Sequence, residues 1–306
     1  MNVNNLATPV LFLVFRRPDR TRRVFEEIRR AKPARLFVAA DGPRESRPEE
    51  AELCRQTREV IRPDWPCDLH TLFRDTNLGN RANISSAVTW FFENAEEGIV
   101  LEDDCLPHPD FFSFSSALLE RYRDDRRIMH ISGDNFQFGR RRGEASYYFS
   151  RYAHCWGWAT WRRAWSFYDL EMSSFPRFAA DRKIDGLVPN RRARRYFTTV
   201  FRDAHAGRHK TWDYAWAYSV LSRGGLCAVP NANLITNIGF DEEATHTFDP
   251  QSEYANIPLE SLGRLVHPAA VLPDKEADDF EFARLARRPL RRRLLDRLGR
   301  LVRRYP

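Results

Sequence analysis

The stretch Ile99-Val100-Leu101-Glu102-Asp103-Asp104 indicates how the chain folds, because a short apolar run passes directly into three acidic residues. A short run without charges is typical of a strand that is buried on both faces. Pro107 follows and opposes a continuation of regular pairing. The three carboxylates are therefore predicted in a loop at the carboxyl end of a buried strand.

Strand-like and helix-like segments alternate around this stretch. Apolar runs or polar–apolar alternation predict further strands at residues 11–15, 35–40 and 68–74. Helical spacing of apolar residues predicts helices at residues 22–30, 49–61, 82–94 and 109–123. Alternation with short connections predicts an α/β protein whose sheet is covered by helices on both faces.

Polar groups follow three of the predicted strands. Arg16-Arg17 follow the first strand, Asp41 follows the second, and the acidic triplet follows the strand that ends at Leu101. In open α/β sheets, ligands bind at the carboxyl ends of the strands. We therefore expect these side chains to form one binding site.

The acidic triplet suits a hard divalent cation. Mg²⁺ and Mn²⁺ prefer oxygen ligands, and one or two carboxylates together with substrate phosphates are a usual ligand set. The diphosphate of a nucleotide sugar would complete such a set. A solvated acidic turn without a ligand is the alternative.

Composition excludes several protein classes. The chain has 306 residues, of which 42% are hydrophobic and 30% charged, so it can bury a large core. The apolar run from Pro9 to Phe15 is far shorter than the roughly 20 residues of a membrane span, and Arg16-Arg17 follow it in the wrong order for a secretory signal. We expect a cytoplasmic protein. The five cysteines are scattered without a C-x-x-C pair, so free thiols are expected.

The net charge of +7 is concentrated at the C-terminus. Residues 284–306 hold ten Arg and one Asp, so residues 1–283 carry −2 in all. In residues 284–306, apolar side chains fall in one helical sector of about 140°, and nearly all the arginines lie opposite. This pattern predicts a basic amphipathic helix that lies on an anionic membrane surface. Docking on the body or on a dimer partner is the alternative, and nucleic-acid binding is not expected.

The second half of the chain differs from the first. Six of the eight tryptophans lie between Trp156 and Trp216, and prolines interrupt residues 251–283. We predict a catalytic domain at residues 1–250, with a donor half at about 1–127 and an acceptor half at about 128–250. An irregular wrap or linker at residues 251–283 and the basic helix at 284–306 follow. Core packing is predicted for Trp161 and Trp165, whereas Trp156 and Trp158 suit either the core or a sugar face.

Several segments occur in the order found in glycosyltransferases of the GT-A fold. They are Val14-Phe15-Arg16-Arg17, Asp41-Gly42, Glu102 to Phe112, Gly157-Trp158 and Trp212-Asp213. The chain resembles this family over about residues 9–250, most specifically from Glu102 to Phe112. Within this family, the segments resemble in kind and order those of the N-acetylglucosaminyltransferase that initiates complex N-glycans. The resemblance implies a GT-A fold, a mixed sheet flanked by helices.

The resemblance also implies roles for the residues at the strand ends. Asp104 would be the direct ligand of Mn²⁺ or Mg²⁺, through which the donor diphosphate is held. Glu102 and Asp103 would contact the sugar and ribose of the donor. Phe15 and Arg17 would lie near the nucleotide and its phosphates. Asp41 would lie at the base or ribose.

Further roles follow from the other matched segments. Asp213 would be the general base of an inverting transfer. Tyr214 stands where the family's W-D-D has its second acid. The alternatives for Asp213 are a buried acid paired with Lys210 and a helix N-cap. Gly157 and Trp158 would contact the donor. His246 lies in a polar segment and would touch phosphate or metal. The alternative is a solvated histidine without a ligand.

The turn that begins a helix at Asn77-Leu78-Gly79-Asn80-Arg81 suggests a further contact. Backbone amides at a helix start, together with Arg81, can meet a phosphate or a base. An ordinary helix start without a ligand has the same sequence features.

The chain is thus predicted to be a metal-dependent inverting glycosyltransferase. It would move GlcNAc or a related sugar from a UDP-sugar to a glycan or lipid-linked acceptor, in bacterial surface polysaccharide assembly at the inner face of the plasma membrane. A nucleotidylyltransferase is one alternative, but a Gly-rich loop is then expected where Arg16-Arg17-Pro18 stand. A non-catalytic carbohydrate-binding protein on the same fold is another.

Overall fold

The computed structural model describes residues 5–240 and 251–285. Its strands are β1 Val10–Val14, β2 Arg35–Ala40, β3 Asp68–Phe73, β4 Glu97–Glu102, β5 Cys105–Pro107, β6 Ile128–Ser132, β7 Tyr147–Ser150, β8 Trp158–Trp161, β9 Leu226–Pro230 and β10 Ile235–Asn237. Its helices are α1 Pro18–Ala31, α2 Glu50–Val60, α3 Gly79–Asn94, α4 Asp110–Arg121, α5 Arg162–Trp165, α6 Phe175–Ala180, α7 Ile184–Leu187, α8 Arg191–His205, α9 Asp213–Ser222 and α10 Lys275–Leu285.

Eight strands form one mixed sheet in the order β3-β2-β1-β4-β8-β6-β9-β7. The strands β1, β2, β3 and β4 are parallel to one another. Strand β8 lies antiparallel between β4 and β6, and β7 is antiparallel to β9. Strands β5 and β10 form a separate antiparallel pair. The predicted α/β class, with a mixed sheet flanked by helices, is confirmed.

The sheet is covered on both faces, which explains why the central strands are apolar throughout. Val10, Phe12 and Val14 pack with α1 and α4 on one face, whereas Leu11 and Leu13 pack with α3, α5 and α9 on the other. Successive side chains of a strand point to opposite faces, so a strand with two covered faces needs an unbroken apolar run.

A third apolar cluster joins α6, α7, α8 and α9 to the last described helix. It contains Phe178, Phe201, Tyr218 and Phe282. Trp161 and Trp165 are buried, as the sequence predicts, and all five cysteines are free. Among the described residues, no helix combines the length and hydropathy that a membrane crossing requires.

The end of the described chain differs from the predicted irregular linker. Residues from Lys275 onward form α10, and the side chain of Asp274 accepts a hydrogen bond from the Ala277 amide at 2.8 Å. An Asp at this position caps a helix start and favours a helix. The prolines before it led to the prediction of an irregular segment instead. Arg284 and Leu285 belong to α10, so the predicted basic helix does not begin as a separate element; its residues 286–306 lie outside the described part.

Candidate active site

A cleft of about 420 Å³ lies at the carboxyl ends of β1, β2 and β4. The first half of the chain contributes Leu13, Val14, Phe15, Arg16, Arg17, Asp41, Arg44, Asn77, Gly79, Asn80, Asn83, Ile84, Glu102, Asp103 and Asp104. The second half contributes Cys155, Trp156, Thr211, Trp212, Asp213 and Asn237. The parallel strands therefore bring together the three sets of polar groups that follow them, and the second half contributes further residues to the same cleft.

Arg17 joins the two aspartates of the acidic triplet. Its guanidinium donates to Asp103 and, at 2.9 Å, to Asp104 Oδ2. The Phe15 amide donates to Asp103 Oδ2 at 3.4 Å. Burial alone would lower the pKa of Arg17, but the two carboxylates outweigh it and raise that pKa. Arg17 is therefore a permanent cation in the cleft.

The acidic triplet holds more negative charge than Arg17 neutralises. Burial raises the pKa of Glu102 well above its ordinary value, and Asp104 and Asp103 raise it further. Burial likewise raises the pKa of Asp103, although Arg17 opposes this shift. Asp103 and Asp104 share the single guanidinium of Arg17, and a third negative charge at Glu102 is unfavourable until a further cation enters.

Asp41 lines the cleft, but its carboxylate is already occupied by the protein. Oδ1 accepts from the amides of Gly42 and Leu78 at 3.0 and 2.9 Å, and Oδ2 accepts from the Gly79 amide and the Asn77 side chain at 3.0 Å each. Burial raises the pKa of Asp41, and these backbone hydrogen bonds oppose that shift. Asp41 therefore holds the turn that begins α3 in place. Any contact with a nucleotide would be additional to this positioning role.

Asp213 enters the cleft as the first residue of α9. Its Oδ1 is buried and has no hydrogen-bond partner among the described residues, and the same holds for Thr211 Oγ1 and Asn80 Oδ1. All three residues line the cleft. Buried polar atoms are nearly always hydrogen-bonded in native proteins, so these three atoms are groups that a ligand or water in the cleft would satisfy.

The residues around Asp104 fit a divalent cation that arrives with its ligand. Asp104 Oδ2 accepts from Arg17, and its Oδ1 lies 3.5 Å from Cys105 Sγ. A Cβ at Gly239 would collide with Oδ2, so glycine is needed where this segment approaches the carboxylate. In the described part of the chain, no group of three or more His, Cys, Asp or Glu side chains is arranged to hold a metal. A cation here would need phosphate oxygens to complete its coordination.

Trp158 is not brought to the cleft. It is fully buried in β8, where its ring stacks on Trp212 at 5.5 Å and on His130 at 5.3 Å. Strand β8 lies inside the sheet, so its side chains are enclosed on both faces. Trp156, two residues earlier, lines the cleft instead and lies edge-on to Phe240 at 5.5 Å.

Gly157 serves a close approach within the protein. Its φ is 61°, and a Cβ there would collide with the side chain of Ile235. Its carbonyl accepts from the Gly133 amide at 2.8 Å. Glycine is therefore required for packing and a left-handed conformation, and Gly157 is not among the cleft residues.

Arg81 and His246 were the remaining predicted contacts. Arg81 donates to the Leu170 carbonyl at 2.9 Å and to Glu171 at 3.1 Å, so it ties α3 to the second half of the chain and does not line the cleft. His246 lies outside the described residues.

Sequence reasoning missed three functional candidates at the cleft. Arg44 lines the cleft and, with Arg16, is held by the buried carboxylate of Glu50, with Arg16 Nε at 3.3 Å. Thr211 and Asn80 supply the unpartnered oxygens described above. Thr211 directly precedes the matched Trp212-Asp213, and Asn80 lies in the turn at the start of α3, so both stood beside motifs that were recognised.

No protein-family model and no curated protein matches the chain. Solved structures with a similar arrangement include the mannosyltransferase PcManGT from Pyrobaculum calidifontis in complex with GDP-Man and Mn²⁺, with 12% identity and a TM-score of 0.35 over 53% of this chain and 46% of that chain. HddC from Yersinia pseudotuberculosis has 10% identity and a TM-score of 0.29 over 51% of this chain and 77% of that chain. The inositol-1-phosphate CTP transferase from T. maritima has 8% identity and a TM-score of 0.30 over 53% and 74%. This chain spans less than half the length of the mannosyltransferase, and none of these similarities assigns it to a family.

Proposed function

We propose that this chain is a glycosyltransferase that moves a sugar from a nucleotide-diphosphate donor to a hydroxyl group of an acceptor. The observation that carries the proposal is the cleft itself. It places Arg17, Asp103 and Asp104 in one cavity with Asp213, whose buried Oδ1 has no partner in the described chain. Groups for a diphosphate and a free carboxylate for a hydroxyl are the two requirements of sugar transfer.

The donor would bind with its diphosphate at Arg17 and Asp104. A cation held by Asp104 and the phosphates would stabilise the negative charge that develops on the leaving diphosphate. Arg17 would exchange part of its ion pair with Asp104 for the phosphate oxygens, since a guanidinium binds both kinds of group. Arg16 and Arg44 supply further positive charge at the rim of the cleft.

Asp213 would act as the general base. A hydroxyl that attacks the anomeric carbon must lose its proton as the bond forms, and one carboxylate within hydrogen-bond distance is enough. Asp213 lines the cleft, and no described residue donates to its buried Oδ1, so its carboxylate is not committed to a partner within the described chain. Attack opposite the leaving diphosphate inverts the anomeric carbon and needs no covalent enzyme intermediate.

The finer parts of the proposal come from the family resemblance. They are a UDP-sugar donor carrying GlcNAc or a related sugar, Mn²⁺ or Mg²⁺ as the cation, and a glycan or lipid-linked acceptor in bacterial surface polysaccharide assembly. The contact of residues 284–306 with an anionic membrane also stays a prediction, because residues 286–306 lie outside the described part.

Calorimetric titration with a panel of nucleotide sugars, with and without Mn²⁺, tests the proposal. We expect one nucleotide sugar to bind in a Mn²⁺-dependent manner, and Asp104→Asn to remove that dependence. Asp213→Asn should keep donor binding and lower the rate of nucleoside diphosphate release in the presence of acceptor by about 10²- to 10⁴-fold, the usual contribution of a general base.

A matched control removes a carboxylate elsewhere. Glu120 on α4 has a side chain that is 78% exposed, so Glu120→Gln should change neither binding nor turnover. Failure of every nucleotide sugar to bind the folded protein would refute the proposal. Release of pyrophosphate from a nucleoside triphosphate and a sugar phosphate would identify a nucleotidylyltransferase instead.

A further inference from the structure

Four arginines of α8 share one exposed side of the helix. At about 100° per residue, Arg191, Arg192, Arg195 and Arg202 fall within a sector of about 100°. All four are exposed, whereas Ala193, Phe201 and Ala204 on the opposite side are buried. We call these four arginines the α8 basic face. The buried side fixes the helix on the body, so the basic face points outward as a rigid unit.

No acidic group of the described chain neutralises the α8 basic face. Every nearby aspartate has another basic partner: Asp181 lies 3.6 Å from Arg177, Asp185 lies 2.7 Å from Arg182, and Asp203 pairs with Arg208. The four arginines form no ion pair with a described residue. Their charge is therefore free for an external anionic partner.

Charge is distributed very unevenly over the chain around this face. Residues 177–210 hold ten Lys or Arg and three Asp, a net charge of +7. Since residues 1–283 carry −2 in all, the rest of that range carries −9. A partner with dense negative charge would be attracted to the α8 side and repelled by the rest of the body.

A groove beside α8 adds apolar surface to this charge. Its volume is about 440 Å³, and it is lined by Phe175 and Phe178 of α6 and by Thr198 and Arg202 of α8, among others. The lining combines guanidinium groups, which bind phosphate, with apolar side chains, and its one carboxylate, Asp185, is paired with Arg182. This combination suits an amphiphile whose head is anionic.

The described chain ends close to the same helix. Phe282 of α10 packs on Tyr196 of α8 with ring centroids 5.8 Å apart, and Nδ2 of the Asn190 side chain donates to Asp279 Oδ1 at 2.8 Å. Residues 286–306, which follow α10, contain nine arginines and one aspartate. The last described helix thus packs beside α8, and the sequence that follows it carries charge of the same sign.

We infer that the α8 basic face docks on the surface of an anionic phospholipid bilayer. The face is exposed, falls within one sector of α8 and has no acidic partner in the described chain, so several guanidinium groups can reach one plane of headgroup phosphates together. The apolar groove favours lipid over nucleic acid, and the exposed residues of the α8 sector are arginines and threonines, without an aromatic side chain for base stacking. This inference does not depend on the proposed transfer reaction.

Co-sedimentation of the full chain with vesicles tests the inference. The wild type should bind phosphatidylcholine vesicles that contain phosphatidylglycerol and bind much less to phosphatidylcholine alone. Arg195→Gln combined with Arg202→Gln should lower the partition coefficient by about thirtyfold, since each basic residue at an anionic surface contributes about fivefold. Binding should also fall as salt rises.

The matched control is Arg23→Gln combined with Arg126→Gln, which removes two exposed arginines without an acidic partner among the described residues. The control should change the partition coefficient less than about threefold, and circular dichroism checks that both double variants are folded. Equal loss in the two variants, or unchanged binding of the α8 variant, would overturn the inference. The inference would also be overturned if the wild type did not bind the anionic vesicles, or if it bound nucleic acid but no vesicles.

Discussion

Glu50 holds two of the arginines that line the cleft. Its side chain is 1% exposed, and it accepts from Arg44 and lies 3.3 Å from Arg16. Burial alone would raise the pKa of Glu50, but the hydrogen bonds from Arg44 hold it below its ordinary value of 4.5. A carboxyl whose pKa is lowered by folding stabilises the fold above that ordinary value and loses this contribution as pH falls below it.

Glu50→Gln should therefore lower the free energy of unfolding at neutral pH by about 1.5–3 kcal/mol, the range for hydrogen bonds to charged groups. The deficit should shrink as pH falls below 4.5. Urea unfolding at several pH values measures it. Glu52→Gln on the same helix is the control, because the Glu52 side chain is 56% exposed and an ion pair in solvent contributes little to stability. Equal losses in the two variants would contradict this role for Glu50.

Gly157 and Gly207 separate two costs of replacing glycine. Both have positive φ, 61° and 69°, but a Cβ at Gly157 collides with Ile235, whereas a Cβ at Gly207 meets nothing within 4 Å. Gly207→Ala should lower the free energy of unfolding by about 1–2 kcal/mol, the cost of holding a residue with a Cβ in the left-handed conformation. Gly157→Ala should lower the free energy of unfolding by roughly 1–3 kcal/mol more, because the added methyl group overpacks the site. Chemical denaturation of both variants measures the difference, and equal losses would exclude the packing role of Gly157.

At the scale of elements, α10 is fastened to the sheet by a buried charged network. Glu281 of α10 accepts from His154 Nε2 at 2.6 Å, and Asp134 lies 3.2 Å from His154 Nδ1. Asp278 accepts hydrogen bonds from the Ser150 hydroxyl and the Arg151 guanidinium, both at 2.7 Å. Cys155 and Trp156, which line the cleft, directly follow His154. The wall of the cleft therefore depends on α10.

The network predicts how stability depends on pH. Burial would lower the pKa of His154, but Glu281 and Asp134 outweigh it and hold that pKa well above 6.5. A histidine whose pKa is raised by folding stabilises the protein below 6.5, and this contribution is lost as pH rises through the folded pKa. The free energy of unfolding should thus decline as pH rises above 6.5.

Urea unfolding over that range measures the decline. His154→Gln should flatten it, while His267→Gln should leave it unchanged, because the pKa of His267 is lowered by burial and it lies outside this network. A decline of the same slope in His154→Gln would contradict the assignment.

At the scale of the whole molecule, the cleft joins the two halves of the chain. Arg17 and Asp104 come from the first half, and Trp156 and Asp213 come from the second. A ligand that bridges them should stabilise the protein as one unit. Because no described group of three acidic, histidine or cysteine side chains is arranged to hold a metal, Mn²⁺ alone should bind weakly.

Thermal unfolding with Mn²⁺, with a nucleoside diphosphate and with both should therefore show synergy. At a hundredfold excess over Kd, the pair should stabilise by about 2.7 kcal/mol, and Mn²⁺ alone should give a much smaller shift. Additive shifts, or a full shift from Mn²⁺ alone, would contradict a site that the phosphates complete. Asp104→Asn should remove the synergy, with Glu120→Gln as the control.

The sequence alone predicted the α/β sheet and the place of its acidic triplet. Apolar runs fix which strands are buried, and parallel strands end at a common edge, so the order of the strands is enough to expect Arg17, Asp41 and Asp103 together. These inferences need only local periodicity and one rule of topology. They extend less well beyond β4, where the strands become short and mixed in direction.

Tertiary structure alone decided which residues of the second half face the cleft. Trp156 lines it and Trp158 does not, because β8 runs antiparallel between β4 and β6 and encloses its own side chains. The nearness of Asp213 to the acidic triplet, the occupied carboxylate of Asp41, and the helix α10 on His154 likewise depend on contacts between distant segments. Such contacts arise from packing of the whole chain, which local sequence patterns do not encode.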